Sequence, residues 1–139
     1  MKLYVREVGT DRLLKLAASR QANKFAVLSL ASVELRSAVR GRERIGEIDS
    51  AAASGLLASF QRHLEAKFLK QGLTDSVLDV ASLLVDRHGL RAYDAVQLSG
   101  YLALKTISGT EVPIFVCADR ALLDAANRER LLVLDPCAP

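Results

Sequence analysis

Three short apolar runs separated by helical patterns narrow the possible folds of this chain more than any other feature. Residues 24–30 (KFAVLSL), 112–118 (VPIFVCA) and 131–134 (LLVL) are apolar nearly throughout and have the length of strands. Strands of this kind that alternate with helices are typical of a parallel sheet whose two faces are both covered by helices. The sequence therefore predicts an α/β fold, and its 139 residues predict a single domain over 1–139.

Helices are predicted wherever apolar residues recur every three or four positions. Two short ones are expected near the start, in MKLYVREV (1–8) and DRLLKLAAS (11–19). A third runs from Ser29 as N-cap to Gly41, and residues 45–69 form the longest, which includes Phe68 in its apolar stripe. The next begins at Thr74 or Asp75 and ends at Gly89, and the last begins at Asp119.

The segment LRAYDAVQLSGYLALKT (90–106) has no broad polar face, so as a helix it is predicted to be buried nearly all round. Asp94 is the only acid in this segment, and it falls on the same side as Leu98 and Tyr101. An unpaired charge on such a stripe would cost roughly several kcal/mol. We therefore expect Asp94 to be compensated by a metal ion, by a basic partner such as Arg91, or by a raised pKa.

Two further acids follow predicted strands. Glu34 lies in the first turns after strand 24–30, and Asp119 follows strand 112–118 directly. Because ligands bind at the carboxyl ends of the strands in parallel sheets, Glu34, Asp94 and Asp119 are expected to converge on one edge. Asp124 could be a fourth ligand. Converging carboxylates repel unless a cation lies between them, and Mg2+ or Mn2+ suits oxygen ligands and a phosphodiester substrate.

Each candidate also has a simpler interpretation. Asp119 alone could be an ordinary helix cap, and Glu34 alone could be an exposed helix residue or an ion-pair partner of a nearby arginine. A surface position is the simpler interpretation of Asp124. His63 and His88 lack metal-ligand spacing, which favours structural roles for both.

Composition and charge limit the function classes only mildly. The net charge of +3 permits a polyanion partner without requiring one. A group of arginines at one predicted helix end could be a solvated terminus or a phosphate-contacting patch: Arg36, Arg40, Arg42 and Arg44. The two cysteines, Cys117 and Cys137, have no spacing typical of zinc sites or disulfide scaffolds. Without an apolar run of transmembrane length or a signal segment, a cytoplasmic location and no membrane partner are expected.

Three stretches carry a resemblance to a known family. In this order along the chain, SLASVELRSAV, LRAYDAVQLSGYLAL and FVCADRALLDAA resemble the PIN domain, specifically the VapC-type toxins of type II toxin–antitoxin modules. The likeness covers nearly the whole chain, including the closing LLVLDP. It implies a parallel sheet with helices on both sides and Mg2+- or Mn2+-dependent endoribonuclease activity. It further implies a cognate antitoxin, an RNA substrate, a homodimer, and Glu34, Asp94 and Asp119 as metal-binding catalytic acids.

One departure from the family pattern is expected to matter. PIN domains begin with an apolar central strand that ends in an aspartate, and nothing before MKLYVREVG supplies it. Either that strand is encoded upstream of Met1, or the chain starts here and the sheet lacks its middle. In the second case we expect a rearranged or partner-completed sheet with weak or absent nuclease activity.

Two alternatives to the nuclease remain open at this point. One is a catalytically defective PIN-like module that binds an antitoxin or RNA without cleaving. The other is a phosphoacceptor receiver-like α/β domain, for which the spacing of the acids offers no support.

Overall fold

A computed structural model of the chain describes residues 3–18, 24–109 and 112–138. These residues form helices and short strands in alternation, which confirms the α/β class. In chain order they are α1 (Thr10–Ala18), β1 (Phe25–Leu28), α2 (Ala31–Arg44), α3 (Ser50–Ala66), β2 (Phe68–Gln71), α4 (Asp75–His88), α5 (Ala92–Ile107), β3 (Phe115–Val116), α6 (Arg120–Arg128) and β4 (Val133–Leu134). No helix among the described residues is long and apolar enough to cross a membrane.

The chain divides into two compact units, which we call the first unit (1–70) and the second unit (71–139). In the first unit, β1 and β2 form a two-stranded sheet. Its core is built by α2 and α3, whose buried residues are Leu35, Val39, Ala53, Phe60 and Leu64. Tyr4, from the turns that precede α1, packs edge-on against Phe60 with a centroid distance of 5.4 Å.

In the second unit, β3 and β4 pair in parallel, with Phe115 opposite Val133 and Val116 opposite Leu134. Helix α5 lies at the centre of the core, where Ala95 and Leu98 are fully buried. Ser99 is also buried, and its hydroxyl donates a hydrogen bond to the carbonyl of Val77 in α4 at 2.6 Å. Parallel strand pairing is therefore present, while a single sheet with helices on both faces stays a prediction.

Several helix ends lie where the sequence predicts them. Thr74 caps α4, and its hydroxyl accepts a hydrogen bond from Val77 N at 3.3 Å. Gly89 ends that helix with φ at 65°, a left-handed conformation that glycine adopts without steric cost. Asp119 caps α6 through a hydrogen bond that Oδ1 accepts from Leu122 N at 2.9 Å.

Other local predictions are wrong. Helix α2 passes through Gly41 to Arg44, because one interior glycine costs only about 1 kcal/mol and buried Leu35 and Val39 hold the helix in place. Its N-cap is Leu30 rather than Ser29. The long helix is confirmed as the longest described, at 17 residues, but it begins at Ser50 and Phe68 belongs to β2. Residues 3–8 form turns instead of a helix, while Met1, Lys2 and Ser19 lie outside the described residues.

Burial of the strands and of α5 is less complete than predicted. Phe115 is buried in the core, whereas its neighbours Ile114 and Val116 are 49% and 37% exposed. One face of the β3–β4 pair is therefore packed and the other is open. In α5 the buried residues lie in the middle of the helix, and Asp94 near its start is only partly buried.

Candidate functional site

The carboxyl ends of β3 and β4 lie at one edge of the second unit's sheet, because the two strands are parallel. Just past β3, the N–H of Cys117 donates to the carbonyl of Leu134 at 3.1 Å. Asp119 follows two residues after Cys117, and Asp135 follows Leu134 directly. Two carboxylates are therefore carried by the chain segments that leave the two strand ends.

The thiol of Cys117 shows which charges meet at this edge. Burial raises the pKa of Cys117 above its ordinary value, and the negative charges of Asp119, Asp94 and Asp135 raise it further, while a backbone hydrogen bond with Asp119 offsets part of the rise. The fields of three carboxylates thus overlap at one half-buried side chain. Because the thiol is held in its neutral form, it does not compete with the acids as an anionic ligand.

Asp94 joins this group from α5. It lies in the first turn of the helix, where the backbone N–H groups and the helix dipole favour a negative charge. Asp94 and Asp119, two of the three acids selected from the sequence, therefore belong to one electrostatic neighbourhood. Whether they bind a metal stays a prediction.

Asp119 was interpreted from the sequence both as a helix cap and as a metal ligand, and the two roles are compatible. Its Oδ1 accepts the capping hydrogen bond from Leu122 N, which leaves Oδ2 outside that bond. Its backbone N–H donates to the Cys117 sulfur at 3.2 Å. A capping role fixes the carboxylate in place and does not prevent it from binding a cation through the second oxygen.

Asp135 was missed in the sequence. It directly follows the apolar run 131–134, so the rule that selects Asp119 after its strand would also have selected Asp135. Oδ1 of Asp135 accepts a hydrogen bond from Cys137 N at 2.8 Å, which orders the turn after β4. Cys117 and Cys137 are both half-buried, and neither is part of a disulfide.

Glu34 lies in the first unit, exposed in the first turn of α2. The arginines that follow it are partly neutralised: Arg40 donates to Glu43 at 2.6 Å, and Arg42 donates to Glu7 at 2.6 Å. Arg36 lines a shallow groove of about 220 Å³ between α2 and α3. Only part of the predicted phosphate-contacting patch is therefore available to an anion.

The remaining candidates occupy positions that suit structural roles. Asp124 is exposed on α6. His63 shares a hydrogen bond of 3.0 Å between Nδ1 and the hydroxyl of Tyr4. The side chain of His88 is only 4% exposed, and its Nε2 lies 2.7 Å from Glu129 Oε1.

The carboxylates at this edge are suitable ligands for a hard cation, but they do not form a closed binding site. Across the ranges that the structure describes, no three His, Cys, Asp or Glu side chains are grouped so that they could hold a metal ion. Mg2+ often binds through only one or two carboxylates and completes its shell with water and substrate phosphates. Asp94 and Asp119 therefore supply the right ligand type for such a site without forming a closed cage.

No family model matches this sequence, and no curated protein is significantly similar to it. The likeness to PIN domains accordingly stays a prediction that rests on the three stretches in which it was found.

Proposed function

We propose that this chain is a PIN-like, VapC-type endoribonuclease that depends on Mg2+ or Mn2+ and acts as the toxin of a toxin–antitoxin pair. The observation that carries the proposal is the convergence of the Asp94, Asp119 and Asp135 charges on Cys117, at the carboxyl ends of two parallel strands. Ligands bind at this edge in parallel sheets, and carboxylate oxygens are the ligand type that Mg2+ and Mn2+ prefer.

Each residue has a distinct part in this proposal. Asp94 and Asp119 would hold the cation, with Asp119 oriented by its capping bond to Leu122. When bound, the divalent ion supplies neutralisation of the charge that develops on a phosphoryl group during hydrolysis. Glu34 is the third acid by resemblance, and Asp124, which is exposed on α6, is a possible fourth ligand.

The finer parts of the proposal are its fold and its partners. A cognate antitoxin, an RNA substrate and a homodimer come with the resemblance, and a parallel sheet covered on both faces and a cytoplasmic location are proposed with them. The open face of β3 and β4 is compatible with a sheet that a further segment completes.

The test is cleavage of a labelled single-stranded RNA with Mn2+, with Mg2+ and with EDTA. We expect divalent-dependent cleavage that Asp94→Asn reduces by at least about a hundredfold, because the variant loses a charged ligand of the cation. The matched control is Asp79→Asn, which removes an exposed carboxylate from α4. Equal cleavage by both variants, or full cleavage in EDTA, would refute the proposal.

A second candidate is a catalytically defective PIN-like module that binds RNA or an antitoxin. The observation in its favour is that the described residues contain no preassembled group of three metal-binding side chains. This module would bind RNA with equal affinity with or without Mn2+, and Asp94→Asn would leave that affinity unchanged. Manganese binding measured by calorimetry therefore separates the two candidates, since only the enzyme should lose it in Asp94→Asn.

A further inference from the structure

The two cysteines of this chain lie on the segments that leave the ends of β3 and β4. Cys117 directly follows β3, and its N–H donates to Leu134 O at 3.1 Å. The register that places Val116 opposite Leu134 therefore continues to Cys117 opposite Asp135. Cys137 follows Asp135 by two residues, and the sequence contains no other cysteine. The only two thiols thus occur on adjacent segments at one edge of the sheet.

The turn after β4 keeps Cys137 near this edge. Oδ1 of Asp135 accepts a hydrogen bond from Cys137 N at 2.8 Å, and the carbonyl of Asp135 accepts one from Ala138 N at 3.4 Å. These bonds fold the chain back immediately after β4. Because neighbouring strands lie about 4.8 Å apart, the backbone of Cys117 is separated from Cys137 by one strand spacing and one short turn.

The sulfur of Cys117 lies at the carboxyl edge of the sheet. It accepts a hydrogen bond from Asp119 N at 3.2 Å, and its thiol donates to Asp119 O at 3.7 Å. The Asp135 carboxylate that bonds to Cys137 N also acts electrostatically on this thiol. Both cysteines are half-buried, so a small oxidant can reach them.

The turn from Asp135 to Ala138 can supply the small movement that a bond between the two sulfurs needs. A disulfide joins Cα atoms that are about 4.4–6.8 Å apart. The bond from Ala138 N is 3.4 Å long, beyond the usual range for an N–H donor, so it resists movement only weakly. The paired backbones of β3 and β4 can therefore stay in place while Cys137 approaches Cys117.

A simpler role for each cysteine is that of a small apolar residue. Cys117 packs against the core of the second unit, which suits this role. In the part of the chain that the structure describes, Cys137 is not among the residues packed against that core. The simpler role therefore accounts for Cys117 and leaves Cys137 without an explanation.

We propose that Cys117 and Cys137 form a reversible disulfide when the chain reacts with a peroxide, and that this bond regulates the edge at which Asp119 lies. Disulfides in reducing compartments are usually transient and redox-sensing, so such a bond would be regulatory and not part of a structural scaffold. Its effect on RNA cleavage rests on the proposed nuclease function. The formation of the bond does not.

The reaction has two steps. The Cys137 sulfur attacks one peroxide oxygen, the O–O bond breaks, and the thiol proton leaves with the second oxygen as water, which gives a sulfenic acid. The Cys117 sulfur then attacks the Cys137 sulfur, the S–O bond breaks, and the hydroxyl group leaves as water with the Cys117 proton. The two sulfurs lose two electrons, which the peroxide gains. Burial, and then the nearby carboxylates, raise the pKa of Cys117, so we expect Cys137 to react first.

The disulfide would change how Asp119 is held. The oxidised Cys117 sulfur has no proton to donate to Asp119 O, and it must turn toward Cys137 and away from Asp119 N. We therefore expect the segment that carries the Asp119 carboxylate to lose part of its support in the oxidised chain.

The first experiment treats the whole chain with hydrogen peroxide in EDTA and then alkylates the remaining thiols. We expect the intact mass to fall by about 2 Da, because two hydrogen atoms are lost, and no thiol to be alkylated. Trypsin should release peptides 106–120 and 131–139 joined by a bond that dithiothreitol breaks. Separate peptides whose cysteines are alkylated or oxidised to sulfinic acid would overturn the proposal.

Serine variants and dilution show whether the bond forms within one chain. Cys137→Ser and Cys117→Ser should each keep one thiol that peroxide does not convert into the linked peptide. In the natural chain, the rate of bond formation should not depend on protein concentration. A dimer on non-reducing electrophoresis, with a yield that rises with concentration, would show that the thiols pair between chains and would overturn the proposal.

Two measurements test regulation of the edge. Oxidation should speed hydrogen exchange at the Asp119 amide, which is measurable without metal or RNA. It should also lower the rate of RNA cleavage about tenfold, reversibly with dithiothreitol, while peroxide leaves cleavage by Cys137→Ser unchanged. Unchanged exchange at Asp119 in the oxidised chain would overturn the regulatory part. A reduced chain that cleaves no RNA would refute the nuclease function, and the exchange result would still decide the effect of the disulfide.

Discussion

Each of the two units of this chain is stabilised internally in a different way. In the first unit, the turns before α1 are joined to the helices by side-chain pairs, with Tyr4 bonded to His63 and Arg42 bonded to Glu7. The second unit is built around a helix whose middle is buried, where Leu98 has no exposed surface. The first unit therefore adds partly exposed polar pairs to a buried core of its own, whereas the core of the second unit is organised around one buried helix.

This difference predicts which substitutions should lower the stability of the chain most. A partly exposed ion pair typically contributes up to about 1 kcal/mol, whereas a buried leucine contributes several times as much. Hydrogen exchange followed by mass spectrometry can read peptides from the two units separately. The chain has no tryptophan, so circular dichroism is the better global probe of unfolding in urea.

The largest effect is expected from Leu98→Ala. Removing a fully buried leucine side chain leaves a cavity in the second unit and should lower the free energy of unfolding by about 3 kcal/mol or more. Leu78→Ala is the control, because Leu78 is 42% exposed and should cost far less. The packing explanation fails if the two alanine variants have the same urea midpoint.

Glu129→Gln should have the next largest effect and lower the free energy of unfolding by about 2 kcal/mol. Glu129 accepts hydrogen bonds from Arg87 at 2.6 Å and from His88 at 2.7 Å, and thereby joins the ends of α4 and α6. The cost arises because the nearly buried His88 loses its charged partner. Stability measured in urea at pH 7 gives the effect, and a loss no larger than that of an exposed Glu65→Gln variant would contradict it.

The same carboxylate predicts a pH dependence. The hydrogen bonds from His88, then from Arg87, hold the pKa of Glu129 below its ordinary value of 4.5. The stabilisation that the ionised Glu129 carboxylate provides is therefore complete above pH 4.5. It is lost as the pH falls through the lowered pKa. The stability difference between the natural chain and Glu129→Gln should shrink in that acidic window. A difference that stays constant below pH 4.5 would show that the ionised carboxylate is not responsible.

Tyr4→Phe and Tyr101→Phe apply one chemical change to both units. Each removes a hydroxyl that makes one hydrogen bond, to His63 Nδ1 at 3.0 Å or to the carbonyl of Pro113 at 2.7 Å. We expect each to cost about 1 kcal/mol, with increased hydrogen exchange confined to the unit that carries the change. Exchange that rises equally in both units would mean that the two units unfold together.

Arg42→Gln should have the smallest effect and lower the free energy of unfolding by about 0.5 kcal/mol. Arg42 lies 2.6 Å from Glu7 and 3.6 Å from Glu47, but its side chain remains 31% exposed. The loss should diminish at 1 M NaCl, where screening weakens the pair in the natural chain as well. Arg36→Gln is the control on the same helix. An Arg42→Gln effect that does not depend on salt would point to lost packing by the arginine stem instead.

Much of the fold was predictable because its signals are local. Apolar periodicity located α3, α4 and α5, and Thr74 and Gly89 marked the ends of α4 because capping chemistry acts within a few residues. The ends of α2 were not predictable in this way. Gly41 is a common stop signal, but burial of Leu35 and Val39 outweighs its small helix penalty.

The candidate site was predictable only in part. The rule that ligands bind at strand ends selected Asp119 from the sequence, and would have selected Asp135 had it been applied to the last apolar run. The same rule led us to expect Asp94 near Asp119, but only the structure shows that both charges act on the Cys117 thiol. That neighbourhood depends on how α5 packs beside the strands, which local patterns do not encode.

The sequence by itself determined the α/β class, the main helices and the choice of Asp94 and Asp119, because propensity, capping and periodicity are properties of short segments. Only the tertiary structure decided that the β3–β4 pair keeps one face exposed, and that the charge of Asp135 acts on Cys117 together with those of Asp94 and Asp119. The physical reason is that burial and electrostatic fields depend on residues distant in sequence, so an apolar run alone cannot show which of its sides will be covered.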